Sequence, residues 1–256
     1  MIKVVGDYHT HTTYSSGFRK KGTHATGSID DNAQVALSKG LNTLVISEHG
    51  PGHFLYGVRR KNIQQMKEEI KSLNEKYIPK GLTILLGVEA NLISLDGRLD
   101  IDDQFIKYMD ILLMGYHYGA TPKTLADAYG LYLLNPLSKI IKLNEEKVKQ
   151  LNTKAYLKAL DNYHIDIITH PGSKAKLDIV EVAKKAGRLG TALEISAKHS
   201  ELSIKSLKLI KDINVNYYIN SDAHTPKDVG NLETGIQKAI EANVDFTRIK
   251  NIIEIR

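Results

Sequence analysis

The chain of 256 residues has no cysteine and no tryptophan. Without cysteine there are no disulfides and no thiolate metal sites, so any metal must be held by His, Asp or Glu. No apolar run approaches the roughly 18 residues that a membrane-spanning helix needs. The opening MIKVVGDYH has neither a basic leader with an apolar centre nor a small-residue cleavage site, so a cytoplasmic protein with no membrane partner is expected. Internal repeats, low-complexity tracts and Pro/Gly-rich linkers are also missing, which leaves 1–256 as one domain. No basic block is dense enough for a nucleic-acid arm, and no aromatic-rich stacking surface stands out. The net charge of +6 reflects lysines on amphipathic stretches such as KNIQQMKEEIKSLNEK.

What is present is an alternation of short β-branched runs with Lys- and Glu-rich amphipathic segments, the pattern of βα units around a parallel sheet. Seven strands are predicted, at 2–9, 42–49, 82–92, 109–117, 165–170, 191–196 and 215–224. Helices fit between them. SIDDNAQVALSKG offers Ser28 or Asp30 as a cap and Gly40 as a stop, and further helices fit the segments 60–77, 144–163, 176–187, 203–212 and 228–243. Segment 118–143, punctuated by Pro122 and Pro136, reads as a helix plus an active-site loop.

The titratable residues fall in one structural position. His9 and His11 end the first strand, His49 the second, Glu89 the third, His117 the fourth, His170 the fifth, and Asp222 and His224 the seventh. Alternate strand residues share a face, so His9 and His11 are placed to serve one metal. In a (β/α) barrel the C-terminal strand ends converge on one rim, and residues spread over more than 200 positions would meet there. Imidazole with carboxylate suits Zn, Mn or Fe, and this many ligands exceeds the need of one tetrahedral ion.

These residues stand in an ordered set of motifs: DYHTH, SEHG after an apolar strand, GVEAN followed by GYH and THPG, and NSDAH, spanning 7–224. The set resembles the PHP (polymerase and histidinol phosphatase) family of metal-dependent phosphoesterases, nearest in kind to its small stand-alone bacterial phosphatases. The resemblance implies a distorted (β/α)7, TIM-like barrel with a trinuclear site. It implies His9, His11, Glu89 and Asp222 as ligands of one metal, and Glu89, bridging, with His117 and His170 on a second. His24, His49 and His224 would hold the third. His24 follows His11 after twelve residues, a longer loop than the family usually has, and stands in GTHATGSIDD just before a helix.

The expected cofactors are two to three divalent transition-metal ions. The expected reaction is hydrolysis of phosphomonoesters of small metabolites by metal-bound hydroxide, with histidinol phosphate one substrate that the resemblance permits. Glu89 and Asp222 are the expected catalytic carboxylates. Arg59, Arg60, Lys174 and Lys198 follow strand ends and are candidates for gripping phosphate. His53 and His199 lie near strand ends and could contact substrate, whereas His164 reads as a solvated residue at a helix end. The alternative is a phosphodiesterase, exonuclease or nucleotide 5′-phosphatase. A metal amidohydrolase should carry eight strands, and a non-catalytic PHP module should have lost ligands, so both rank lower.

Overall fold

The computed structural model describes residues 2–141 and 145–254. Seven parallel strands pair in chain order: β2 (Gly6–Thr10), β3 (Thr43–His49), β4 (Thr83–Asn91), β5 (Ile111–Gly115), β6 (Ile167–Ile168), β7 (Ala192–Ser196) and β8 (Tyr217–Asn220). The expected strand at 2–9 divides at Val5, whose carbonyl takes the N–H groups of Asn42 and Thr43. Ahead of the break, β1 (Ile2–Val4) pairs antiparallel with β9 (Ile252–Glu254), a strand that the sequence reading did not foresee. A strand of three residues, two isoleucines and a glutamate, carries too little pattern to be read.

The sheet is nearly closed between β2 and β8, and side chains do much of the closing. Tyr8 N–H donates to Asn220 Oδ1 at 3.0 Å, and Asp7 accepts from Ser221 N (3.1 Å), Ser221 Oγ (2.5 Å) and Gly230 N (2.9 Å). Asn251 donates to both Gly6 O and Ile219 O. Past these, Thr10 and Ala223 form a parallel bridge. The result is a single-domain, distorted (β/α)7 barrel.

Helices occupy the predicted gaps. Ser28 caps the helix Ile29–Ser38, with Asp31 returning the hydrogen bond, and the chain leaves it through Gly40 at φ 71°. Helices follow at Ile63–Tyr77, Glu145–Asn162, Ile179–Leu189, Ile204–Ile210 and Glu233–Glu241. The segment read as helix plus loop runs through a loop to helical residues Leu125–Ile141, with a π-helical stretch over Ala128–Leu133; its residues 142–143 lie outside the described part. Below the rim, Val45, Ile111, Leu113 and Ile167 form a compact apolar cluster with Tyr8, Leu85 and Tyr218 against it. Val45 and Leu85 share strand faces with His49 and Glu89 by alternation, so this plug is the floor on which the polar site stands.

Candidate metal centre

Register brings the first partners together: His49 pairs with Glu89 directly across β3 and β4. The two oxygens of Glu89 face different imidazole sets. Oε2 lies 3.3 Å from His9 Nε2, 3.8 Å from His11 Nε2 and 2.9 Å from His49 Nδ1. Oε1 lies 2.8 Å from His170 Nε2 and 3.5 Å from His117 Nε2, and accepts from Thr169 Oγ1 at 2.7 Å. Asp222 Oδ1 joins the first set, 3.5 Å from His9 Nε2 and 3.3 Å from His11 Nε2. A third group stands beside them, where His24 Nε2 lies 2.9 Å from His49 Nε2 and 3.0 Å from His224 Nε2.

Four buried atoms here have no hydrogen-bond partner among the described residues: His9 Nε2, His11 Nε2, His49 Nδ1 and Glu89 Oε2. Each such orphan costs roughly 1–3 kcal/mol. Divalent cations would satisfy such atoms, and the donor set of imidazole and carboxylate suits them. Among the described residues, groups spaced to hold an ion are His9, His11 and Asp222; His9, Glu89 and His170; His49, Glu89 and His117; His11, His49 and His224; and His170, His199 and Asp222, so the donor set fits divalent cations, with His24 in none of these groups.

Electrostatics favour the same use. Burial alone would raise the Glu89 carboxyl, but the imidazoles of His117 and His9 hold it well below the ordinary carboxylate range. Asp222 behaves alike: burial opposes its charge, and His9, His11 and His199 overcome it. Burial and the neighbouring His49 and His224 push His24 down to about 2, and burial carries His224 down to about 4. Both are neutral imidazoles at physiological pH, the form that ligates. His9 goes the other way: burial would lower it, but Glu89, Glu194 and Asp222 outweigh burial and raise it well above its ordinary value.

Other residues aim the ligands. Glu194 accepts from His9 Nδ1 at 2.8 Å, from His170 N at 2.7 Å and from Asn220 Nδ2 at 3.0 Å. Asn91 Oδ1 takes the His117 Nδ1 proton at 2.9 Å, and Asp100 fixes the Asn91 amide at 2.6 Å. Ser15 Oγ lies 3.4 Å from His11 Nδ1 and donates, like the Thr12 hydroxyl, to the buried Glu48. Burial holds Glu48 up at about 7 and Asp100 at about 6. The sequence reading missed these residues, although Glu48 and Glu194 left a signal as carboxylates inside otherwise apolar strands. His170 and Asp222 adopt left-handed backbone, at φ 27° and 52°, strain of the kind that collects at functional sites.

The four candidate cations separate. Lys198 Nζ reaches the site, 3.1 Å from both Asp222 Oδ2 and His224 Nδ1. Lys174 is near enough to depress His53 and His117 electrostatically. Arg60 is instead paired with Asp102 at 2.7 Å, and Arg59 Nε donates to Gly17 O at 2.7 Å, so both are engaged in fastening loops. His199 Nε2 lies 3.0 Å from Asp222 Oδ2, inside the cluster. His53 is only 3% exposed and spends both ring nitrogens on backbone, so it is placed to hold loops rather than to meet substrate. His164 is exposed just past the helix Glu145–Asn162. The rim also carries an exposed aromatic pair that the composition did not suggest, Phe18 (77% exposed) and Phe54 (58%), with ring centroids 4.8 Å apart.

The PHP domain model matches residues 7–224. A probable phosphatase of Thermoanaerobacter sp. (strain X514) is 30% identical over 275 residues, covering 99% of this chain and 96% of that protein. The chain therefore belongs to the PHP domain family, and it is a phosphatase of that family. The Bacillus subtilis DNA polymerase/3′-5′ exonuclease PolX is 28% identical over 99% of this chain but only 40% of its own length. Among solved structures, histidinol phosphate phosphatase from Lactococcus lactis, complexed with Zn, L-histidinol and phosphate, superposes with a TM-score of 0.63 over 94% of each chain at 15% identity, a likeness of fold. Among the described residues no helix is long and apolar enough to cross a membrane.

Proposed function

We propose that the chain hydrolyses phosphomonoesters of small metabolites, using two to three divalent transition-metal ions. The observation that carries this reading is Glu89, whose two oxygens face separate imidazole sets while a third triad stands beside them. His9, His11 and Asp222 with Glu89 would hold one ion, Glu89 with His117 and His170 a second, and His24, His49 and His224 a third. Such ions supply a hydroxide nucleophile at neutral pH and neutralise the oxygens of the ester. The protein's own part is to keep Glu89 and Asp222 ionised and to hold the imidazoles in register, and Lys198 and Lys174, the two cations beside the cluster, would grip the phosphate. Histidinol phosphate is one candidate substrate, because the Lactococcus lactis protein of the same fold was solved with L-histidinol and phosphate.

The second reading, a phosphodiesterase or exonuclease, is favoured by the exposed Phe18–Phe54 pair, a surface on which a nucleobase could stack. Metal analysis of the purified protein coupled to a screen of phosphomonoesters and phosphodiesters separates the two. Turnover confined to monoesters with two or three ions per chain is expected. A metal-free active enzyme would sink both readings, and a strong preference for diesters would promote the second.

A further inference from the structure

His24 is the one proposed ligand held on a long loop rather than at or just past a strand end. Backbone hydrogen bonds fasten its neighbours, Thr23 N to Lys20 O at 3.2 Å and Thr26 N to His224 O at 2.8 Å. Its side chain lacks the support that His9, His11 and His117 have. Glu194, Ser15 and Asn91 meet the Nδ1 atoms of His9, His11 and His117, but among the described residues nothing hydrogen-bonds to His24 Nδ1. Its ring lies instead against Tyr56, with centroids 3.7 Å apart and planes 10° from parallel.

Tyr56 is itself stacked on His53, at 4.8 Å and 20°. His53 is fixed in turn. Its Nδ1 accepts the Tyr56 N–H at 3.1 Å, which leaves the proton on Nε2 to be donated to Tyr118 O at 3.0 Å. A continuous stack thus runs from the loop after β5, through His53 and Tyr56, to the ring whose Nε2 meets His49 and His224. Flat rings packed face to face restrict tilt much as a hydrogen bond to Nδ1 would.

We propose that Tyr56 is the positioning residue of the third metal, presenting His24 through ring stacking in place of a hydrogen bond. The proposal rests on the metal-dependent reading above. Zn2+ binding by the full chain tests it, with stoichiometry and affinity from equilibrium dialysis and positions from anomalous scattering. Wild type should take three ions, and Tyr56→Phe, which keeps the flat face, should hold the third within about threefold of wild type. Tyr56→Ala, and Tyr56→Leu, which keeps bulk without the face, should each weaken the third ion roughly 10–100-fold and leave the bridged pair filled. The filled pair certifies that each variant has folded. Wild-type affinity for the third ion in Tyr56→Ala or Tyr56→Leu overturns the proposal, and so does its loss in Tyr56→Phe, which would assign the effect to the hydroxyl. If wild type holds two ions and no third, the role of His24 falls with the proposal while the bridged pair stands. If it holds none, the functional reading itself fails.

Discussion

Glu194 touches no proposed metal position, yet His9 and His170 both depend on it. Its carboxylate meets His9 Nδ1 and the backbone of His170, and Asn220 holds it in place. Glu194→Gln keeps the shape but removes the charge that orients and polarises His9, so metal affinity of the bridged pair should fall roughly 10–100-fold. Competition with a chelator reads this directly, and unchanged affinity would show that Glu194 is only packing. His53 gives a residue-scale prediction about pH. Burial, helped by His49, holds it down at about 4, against an ordinary 6.5. Between those values the unfolded chain binds the extra proton, so this stabilisation is complete above pH 6.5 and is lost as the pH falls towards 4. Its size is on the order of 2–3 kcal/mol. His53→Gln should flatten that acid limb in thermal unfolding measured against pH, and an unchanged slope would place the acid sensitivity elsewhere.

At the scale of elements, β5 shows how tightly the site is fitted. A Cβ on Gly115 would come 2.6 Å from Glu89 Oε1, 2.7 Å from Thr169 Oγ1 and 2.8 Å from His117 Cε1. Gly115→Ala should therefore displace the bridging carboxylate, weakening the metal pair and costing about 1–3 kcal/mol of stability. Denaturant unfolding with parallel metal analysis checks both, and a stable variant with full metal content would show that Glu89 has room to move. The strand ends were legible in the sequence because a His or Glu that closes an apolar run is conspicuous, and six of the seven predicted strands close this way. The helix start at Ser28 was legible for the same local reason, a side-chain oxygen placed to take free N–H groups, whereas the segment expected at 176–187 begins two residues before the cap that the structure puts at Asp178. The π-helical stretch Ala128–Leu133 and the β1–β9 pair were not legible. The first differs from an α-helix only in a hydrogen-bond step one residue longer, and the second depends on contact between Ile2–Val4 and Ile252–Glu254. Tyr56 was hidden for another reason: its stacking partners, His24 and His53, sit on different loops and share no sequence pattern.

The whole molecule decides how the reaction ends, because closing the barrel commits the hydroxyls around the site. Ser15 and Thr12 donate to Glu48, Thr10 to Val45 O at 2.7 Å, Thr169 to Glu89 at 2.7 Å, and Ser221 to Asp7 at 2.5 Å. Ser221 and Asp7 form part of the seam between β2 and β8, so that hydroxyl cannot turn to attack without opening the barrel. There is no cysteine. With these hydroxyls tied and no thiol, the reading proposed above expects the attacking oxygen to come from water. A single in-line displacement inverts the configuration at phosphorus, whereas a phosphoryl-enzyme intermediate gives two displacements and overall retention. With a phosphomonoester made chiral by sulfur and oxygen isotopes, inversion is the expected outcome. Retention, or phosphate trapped on a histidine or serine after rapid quenching, would mean that one of these committed side chains is released during turnover, and the direct mechanism would fall.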